Sequence, residues 1–247
     1  MEIFTPDERE LLRGELIAAA QSDPNISGAA HTGSAASSKL DRWSDIDLAL
    51  CLKPEASYER VVAEWTERLY RLGAIAHVDV MRGPTLFRVF LLENTQQVDI
   101  AFWRVEDFAA IGPNFRLIFG QEGPPQPTPK PDPHTLIGMG WLYALHVRSS
   151  LARGRMLQAE YMLSGMRNHV GELACLRCGA TPHQGRGLDD LPAPEKEAAA
   201  ECIPRSPETA ELKRAFQATM QALLAELRHV DGEAAGSLSA TLNEIAA

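Results

Sequence analysis

The sequence predicts an α+β protein in two parts: a small mixed sheet with its helices, then an all-helical C-terminal domain. Three observations carry this. Up to residue 103, short apolar runs are interleaved with amphipathic helical patterns, the signature of a sheet covered by helices. From Gly123 to Pro133 the chain reads GPPQPTPKPDP, which supports neither helix nor sheet ladder. Beyond that run every strong pattern is helical.

The first element is a helix opened by Thr5-Pro6-Asp7-Glu8, with a Thr cap, Pro at the first position and Glu three residues after the cap. Leu11, Leu12, Leu16 and Ile17 form its expected apolar stripe, and it ends near Asp23-Pro24. Its expected role is scaffold. A strand follows at Ile26 to His31, then Gly33-Ser34, a polar connection and a second strand, Asp45-Ile46-Asp47-Leu48-Ala49-Leu50. Period-two alternation sets Asp45 and Asp47 on one side of that strand and Ile46 and Leu48 on the other. Two neighbouring carboxylates raise each other's pKa and are costly unless a cation sits between them. A hard oxygen site of this kind suits Mg²⁺ carrying phosphates. Gly33 lets backbone approach a ligand, a strand-to-helix turn there aims N–H groups at an anion, and the Ser34 hydroxyl adds a contact.

Gly33-Ser34, ten intervening residues and Asp45-x-Asp47 together resemble the signature of the DNA polymerase β-like nucleotidyltransferase superfamily. The resemblance implies transfer of a nucleoside monophosphate from an NTP, ATP being the first expectation, with Mg²⁺ as cofactor and pyrophosphate leaving. Gly33 and Ser34 would grip the phosphates. The family often reads Gly-Ser-x-Ala-Arg-Gly, whereas Ser37-Ser38 stand here where Arg-Gly would fall, so Lys39 and Arg42 are the cations left to replace that contact.

Tyr58 to Leu72 reads as an amphipathic helix with Val61, Val62, Trp65, Leu69 and Leu72 at helical spacing, closed by Gly73. Three strands follow at Ile75 to Met81, Leu86 to Leu92 and Gln97 to Trp103, with Asn94-Thr95 as the turn between the last two. Asp99 lies in the middle of an otherwise apolar strand, where an unpaired acid is expensive. The resemblance implies a third carboxylate on a neighbouring strand, carried over to Asp99; Asp79 is its rival. Asp45, Asp47 and Asp99 are thus the expected metal ligands.

The proline run is read as a semi-rigid polyproline spacer of about 30 Å. The expected domains are therefore residues 1–128, catalytic, and 134–247, helical. In the second, Thr135 to Ala152 carries Leu136, Met139, Leu142, Leu145 and Leu151 in helical order, and Arg155 to Cys178 forms a longer helix ending at Gly179. Glu160, Ser164, Arg167 and Gly171 line one stripe of it. The resemblance extends to antibiotic (aminoglycoside and lincosamide) nucleotidyltransferases with helical C-terminal domains, and implies Glu160 as general base on the acceptor hydroxyl, with Arg153, Arg155 and Arg167 as phosphate contacts. Read from residues alone, Glu160 and Arg167 are equally a surface ion pair. His183 to Pro192 is a Gly-rich polar loop, and Ser206-Pro207 caps a last helix with Phe216, Met220, Leu223, Leu227 and Val230 buried.

A net charge of −9 speaks against a long nucleic-acid surface and favours a small acceptor, with cationic ones such as aminoglycosides suiting it. No run approaches the roughly 20 apolar residues of a membrane span, and acids interrupt the N-terminus where a signal peptide would need apolar residues, so the expected location is cytoplasmic. The four cysteines make no disulfide framework, and Cys175-x-x-Cys178 lacks a second pair for zinc. Two further readings stand beside the transferase: a nucleotidyltransferase-like component of a toxin–antitoxin or other regulatory pair acting on a protein partner, and a pseudoenzyme that binds nucleotide without turnover. The oligomeric state is left open, a homodimer being compatible.

Overall fold

A computed structural model of the chain describes residues 3–37, 40–112, 114–126 and 129–247. Its backbone contacts gather into two compact units, Met1–Pro129 and Lys130–Ala247.

The first unit opens with α1, Pro6–Ser22. Its capping box is complete: Thr5 Oγ1 accepts from the Glu8 N–H at 3.2 Å, and the Glu8 carboxylate accepts from the Thr5 N–H at 2.7 Å. Leu12, Leu16 and Ile17 of the expected stripe pack on the core, whereas Leu11 is exposed at 76% and Arg9, Arg13 and Ala20 join the inward face. The inward arginine is tolerated because the carbonyls of Asp41 and Ser44 accept from the Arg9 guanidinium.

Strand β1, Ile26–Thr32, runs into a single helical turn α2, Gly33–Ala36, and then into β2, Ile46–Leu52. Helix α3, Tyr58–Arg71, buries the expected Val61, Val62, Trp65 and Leu69; Gly73 follows with a left-handed φ of +98°. Strands β3, Ala74–Arg82, β4, Thr85–Leu92, and β5, Gln97–Trp103, complete the expected set, with the turn between β4 and β5 passing through Thr95 at φ +68°. A sixth strand, β6, Phe115–Phe119, was not foreseen; only five residues long and cut short by Gly120, it gives too little alternation to be seen.

The sheet order is β3-β4-β5-β2-β1-β6. Among the six described strands only β2 and β5 pair in parallel, so the sheet is mixed. One face packs Ile46, Leu48, Leu50, Ile100 and Phe102 with Leu16 of α1 and Trp65 and Leu69 of α3. Trp65 is 1% exposed, and its Nε1 donates to Asp23 at 2.9 Å, so burying it contributes on the order of 3 kcal/mol without stranding a polar atom. The other face carries a smaller cluster of Ala30, Ala49, Cys51, Ala101, Trp103 and Phe108. The start of the proline run is tied down rather than free: Gly123 and Gln126 donate to the carbonyls of Phe108 and Ala110.

The second unit is helical: α4, Pro133–Ala152, capped by Asp132; α5, Met156–Cys178, closed by Gly179 at φ +72°; α6, Ala193–Glu201; α7, Thr209–Val230; and α8, Gly232–Ala246. Its core joins Leu136, Val147, Leu163, Met166, Phe216 and Leu223. In α4, Leu136, Leu145 and Leu151 of the expected order pack on this core together with Ile137, Ala144 and Val147, while Leu142 is exposed at 38%. Two expectations are corrected. Helix α7 starts at Thr209, after Glu208, while the Ser206 hydroxyl accepts from the Glu208 N–H in a local turn before it. The tail after Asp231 forms a full helix, capped by Asp231 and burying Ala235, Leu242 and Ile245. Among the described residues no helix is long and apolar enough to cross a membrane.

Candidate functional site

Pairing of β2 with β5 is what assembles the site. The parallel register sets Asp47 beside Asp99, with Ile46 beside Val98 and Leu48 beside Ile100. Because Ile46, Leu48 and Ile100 are committed to the core under α1 and α3, alternation sends Asp45, Asp47 and Asp99 to the opposite face. A one-residue slip in either strand would bury the acids, so the hydrophobic pattern itself fixes the site. Carboxylate oxygens of Asp45, Asp47 and Asp99 lie within 4.8 Å of one another, the one such acidic or metal-ligating group among the described residues.

Asp99 is the most perturbed member. Burial pushes its carboxyl from 3.8 to about 6, with the Asp45 charge adding to the rise; a hydrogen bond from Gln97 and the charge of Arg82 oppose it. Gln97 Nε2 donates to Asp99 Oδ1 at 2.9 Å and reaches Asp45 Oδ2 at 3.4 Å. Gln97 was missed in the sequence, although its place two residues before Asp99 puts it on the same face. The rival Asp79 lies two strands away on β3, where Arg88 holds both its oxygens at 2.7 Å and draws its carboxyl below the ordinary range.

Gly33 opens α2 with a left-handed φ of +58°, and a Cβ there would stand 2.8 Å from Asp47 Cγ. Ser34 Oγ and His31 Nδ1 are buried without a hydrogen-bond partner among the described residues. Burial, then the charges of Arg116 and Arg13, holds the His31 ring below its usual pKa, so it is neutral at pH 7. Arg116 Nη2 donates to the Ala35 carbonyl at 3.1 Å, tying β6 to the turn. Of the two expected replacement cations, Lys39 lies outside the described residues, and Arg42 is exposed with its guanidinium 5.2 Å from the centre of the Trp43 ring.

Glu160 belongs to the second unit, on α5, where Arg167 Nη2 donates to it at 3.4 Å. Its stripe partner Gly171 packs on Leu188, so it is structural: a Cβ there would meet the Leu188 side chain at 2.9 Å. The loop 183–192 folds into two short 3₁₀ turns, with Gln184 at a left-handed φ of +57°.

Three hard carboxylates with overlapping fields fit a divalent cation bound through oxygen, and Gly33 leaves open the side of Asp47 that any other residue would fill.

No protein-family model matches the chain, and no curated protein matches it by sequence. Among solved structures it is similar to an aminoglycoside 6-adenyltransferase from Bacillus subtilis, at 11% identity and a TM-score of 0.42 over 96% of this chain and 97% of that one. It is also similar to a nucleotidyltransferase-like protein from Exiguobacterium sibiricum 255-15, at 12% identity and a TM-score of 0.36 over 89% of this chain and 76% of that one. Scores this low carry no inference about activity, so the chemistry rests on the residues of the site.

Proposed function

We propose that the chain is a divalent-metal-dependent nucleotidyltransferase that moves a nucleoside monophosphate from an NTP to a hydroxyl of a small acceptor. The observation that carries the reading is the convergence of Asp45, Asp47 and Asp99 on adjacent parallel strands. The Gly33-Ser34 turn beside Asp47, and its resemblance in spacing to the polymerase β-like signature, support it.

Asp45, Asp47 and Asp99 would hold the cation, Mg²⁺ by choice of ligand type. Bound there, it supplies positive charge to the triphosphate and to the oxygens of an in-line displacement. The acceptor oxygen forms a bond to the α-phosphorus, the bond from that phosphorus to the bridging oxygen breaks, and pyrophosphate leaves with the electron pair. Gly33 and Ser34 bind the β- and γ-phosphates, the Ser34 hydroxyl finding in them the partner it lacks among the described residues. Gln97 holds Asp45 and Asp99 in register by donating to both. The acceptor proton passes to a carboxylate, for which Glu160 is our assignment. ATP is the first nucleotide to try, and the net charge of −9 favours a cationic acceptor of aminoglycoside type.

The test is pyrophosphate release from each NTP with Mg²⁺, against hydroxylated acceptors including aminoglycosides and lincosamides. Release that requires both an acceptor and Asp47 supports the reading; an Asp47→Asn protein releasing at the native rate would sink it. Metal-dependent NTP binding without release across the panel would redirect the search to a protein acceptor.

A further inference from the structure

Strand β3 ends the sheet, and among the described residues no strand pairs with its outer edge. Such an edge presents unpaired N–H and C=O groups, which folded proteins usually blunt with proline, lysine or a short strand. Strand β3 has neither residue and runs for nine positions, Ala74–Arg82. Its one irregularity is a bulge between Ala74 and Ala76; from Ala76 to Arg82 its ladder to β4 is regular. Every residue from Ile75 to Arg82 is exposed, among them Ile75 at 54%, Val78 at 58% and Met81 at 61%. A long, regular and largely apolar free edge is a template for another strand.

The order of residues says which strand fits. Reversed on itself about Val78, the segment sets Ala76 opposite Val80, His77 opposite Asp79 and Val78 opposite itself, with Ile75 opposite Met81 at the margin. Opposed residues of an antiparallel pair share a face, so apolar meets apolar and imidazole meets carboxylate. The neighbouring centres fail: about Asp79 two acids would face each other, and about His77 the acid would face Ile75. The polar pair is also held in place: Tyr70 Oη lies 2.9 Å from His77 Nδ1, and Arg88 fixes the Asp79 carboxylate.

We propose that the protein forms a two-fold dimer in solution by antiparallel pairing of β3 with β3 of a second copy, centred on Val78. The occupant is a second copy because the edge is complementary to its own sequence in that single register. The inference stands independently of the proposed activity.

The experiment is light-scattering mass in solution, paired with disulfide trapping of the full chain. The native protein is expected at twice its 27.1 kDa at tens of micromolar. Val78→Lys sets two like charges at the axis and is expected to raise the dissociation constant on the order of tenfold or more, with the monomer melting unchanged because Val78 is exposed. Val78→Cys is expected to cross-link into a covalent dimer under mild oxidation, since opposed residues of an antiparallel pair lie within disulfide reach. Leu91→Cys, exposed on β4 away from the edge, should not; the native chain, whose half-buried Cys178 is the thiol that could react, sets the background, and all cysteine variants are made with Cys178→Ser. A native monomer at these concentrations overturns the proposal. So does a dimer that survives Val78→Lys while Val78→Cys fails to cross-link.

Discussion

Gly33 rests its bare α-carbon against the carboxyl group of Asp47: a methyl built there would stand 2.8 Å from Cγ and nearer still to Oδ2. The backbone at Gly33 is left-handed as well, at φ +58°. Alanine at 33 therefore meets two penalties, strain at its own dihedrals and displacement of the neighbouring carboxylate. Gly33→Ala is expected to lower the unfolding free energy by about 1–2 kcal/mol in urea titration. Pyrophosphate release should fall on the order of 100-fold, because a ligand carboxylate shifted by an ångström is misplaced. Full release from a stably folded Gly33→Ala protein would remove the turn from the site.

Asp99 ties stability to pH through its carboxyl, raised by burial from 3.8 to about 6. A raised native pKa means the folded state holds the proton more tightly than the unfolded one. The stabilising contribution is complete below about pH 4 and is lost as pH climbs through about 6. Full linkage would be about 3 kcal/mol, reduced to roughly 1–2 by the solvent that reaches a partly buried group. Asp99→Asn carries no such charge, and its amide still accepts from Gln97. It is expected to match the native protein near pH 4 and to exceed its stability at pH 8 without metal, while losing metal binding. Equal stability of the two proteins at pH 8 would contradict the burial of that carboxyl.

Metal linkage follows from the same three acids. A cation that binds only the folded chain adds RT ln(1 + [L]/Kd), about 1.4 kcal/mol for Mg²⁺ at ten times its dissociation constant. A rise in melting temperature with Mg²⁺ is expected for the native protein, absent in Asp47→Asn, and fading below about pH 6 as Asp99 takes up its proton. Differential scanning with and without a chelator checks all three.

Much of this site was legible because local patterns specify it. Alternation in Asp45–Leu50 places both acids on one face, and Gly33-Ser34 marks a turn whatever surrounds it. The partner of Asp47 was not legible from β5 alone: Asp99 and Asp79 both sit in apolar strands, and only the parallel register of β2 with β5 separates them. That register follows from long-range packing, which period-two patterns do not encode. The inward arginine of α1 was missed for a related reason: an apolar stripe leaves Arg9 out, yet the turn at Asp41–Ser44 supplies carbonyls that let it turn inward. Helix α8 was missed because its buried residues Ala235, Leu242 and Ile245 are too few to make a stripe.

In the second unit the fold has a charged weak point. Glu226 of α7 is only 5% exposed and accepts from Arg177 of α5 through Nε at 3.0 Å and Nη2 at 2.8 Å. Deleting the cation strands the acid in the core. Arg177→Met is expected to cost about 2–3 kcal/mol, whereas Glu226→Gln, which keeps an acceptor and drops the charge, should cost about 1. Chemical denaturation of the two variants orders them, and a reversed order would mean that the ion pair is dispensable.

Glu160 is where the proposed mechanism is most exposed, since Arg167 already gives that carboxylate a structural partner at 3.4 Å. The two roles separate in kinetics. A general base acts in the transition state, so Glu160→Gln should lower kcat on the order of 100-fold and leave KM for the nucleotide within about twofold. An ion pair acts in the ground state. Breaking it shifts stability by under about 1 kcal/mol at a half-exposed site and leaves kcat near the native value. Arg167→Gln is the control: it breaks the same pair but spares the carboxylate, so it should keep the native kcat. A fall in kcat in Glu160→Gln alone assigns the base; native kcat in both variants gives Glu160 to its arginine and leaves the acceptor proton to a carboxylate of the metal site.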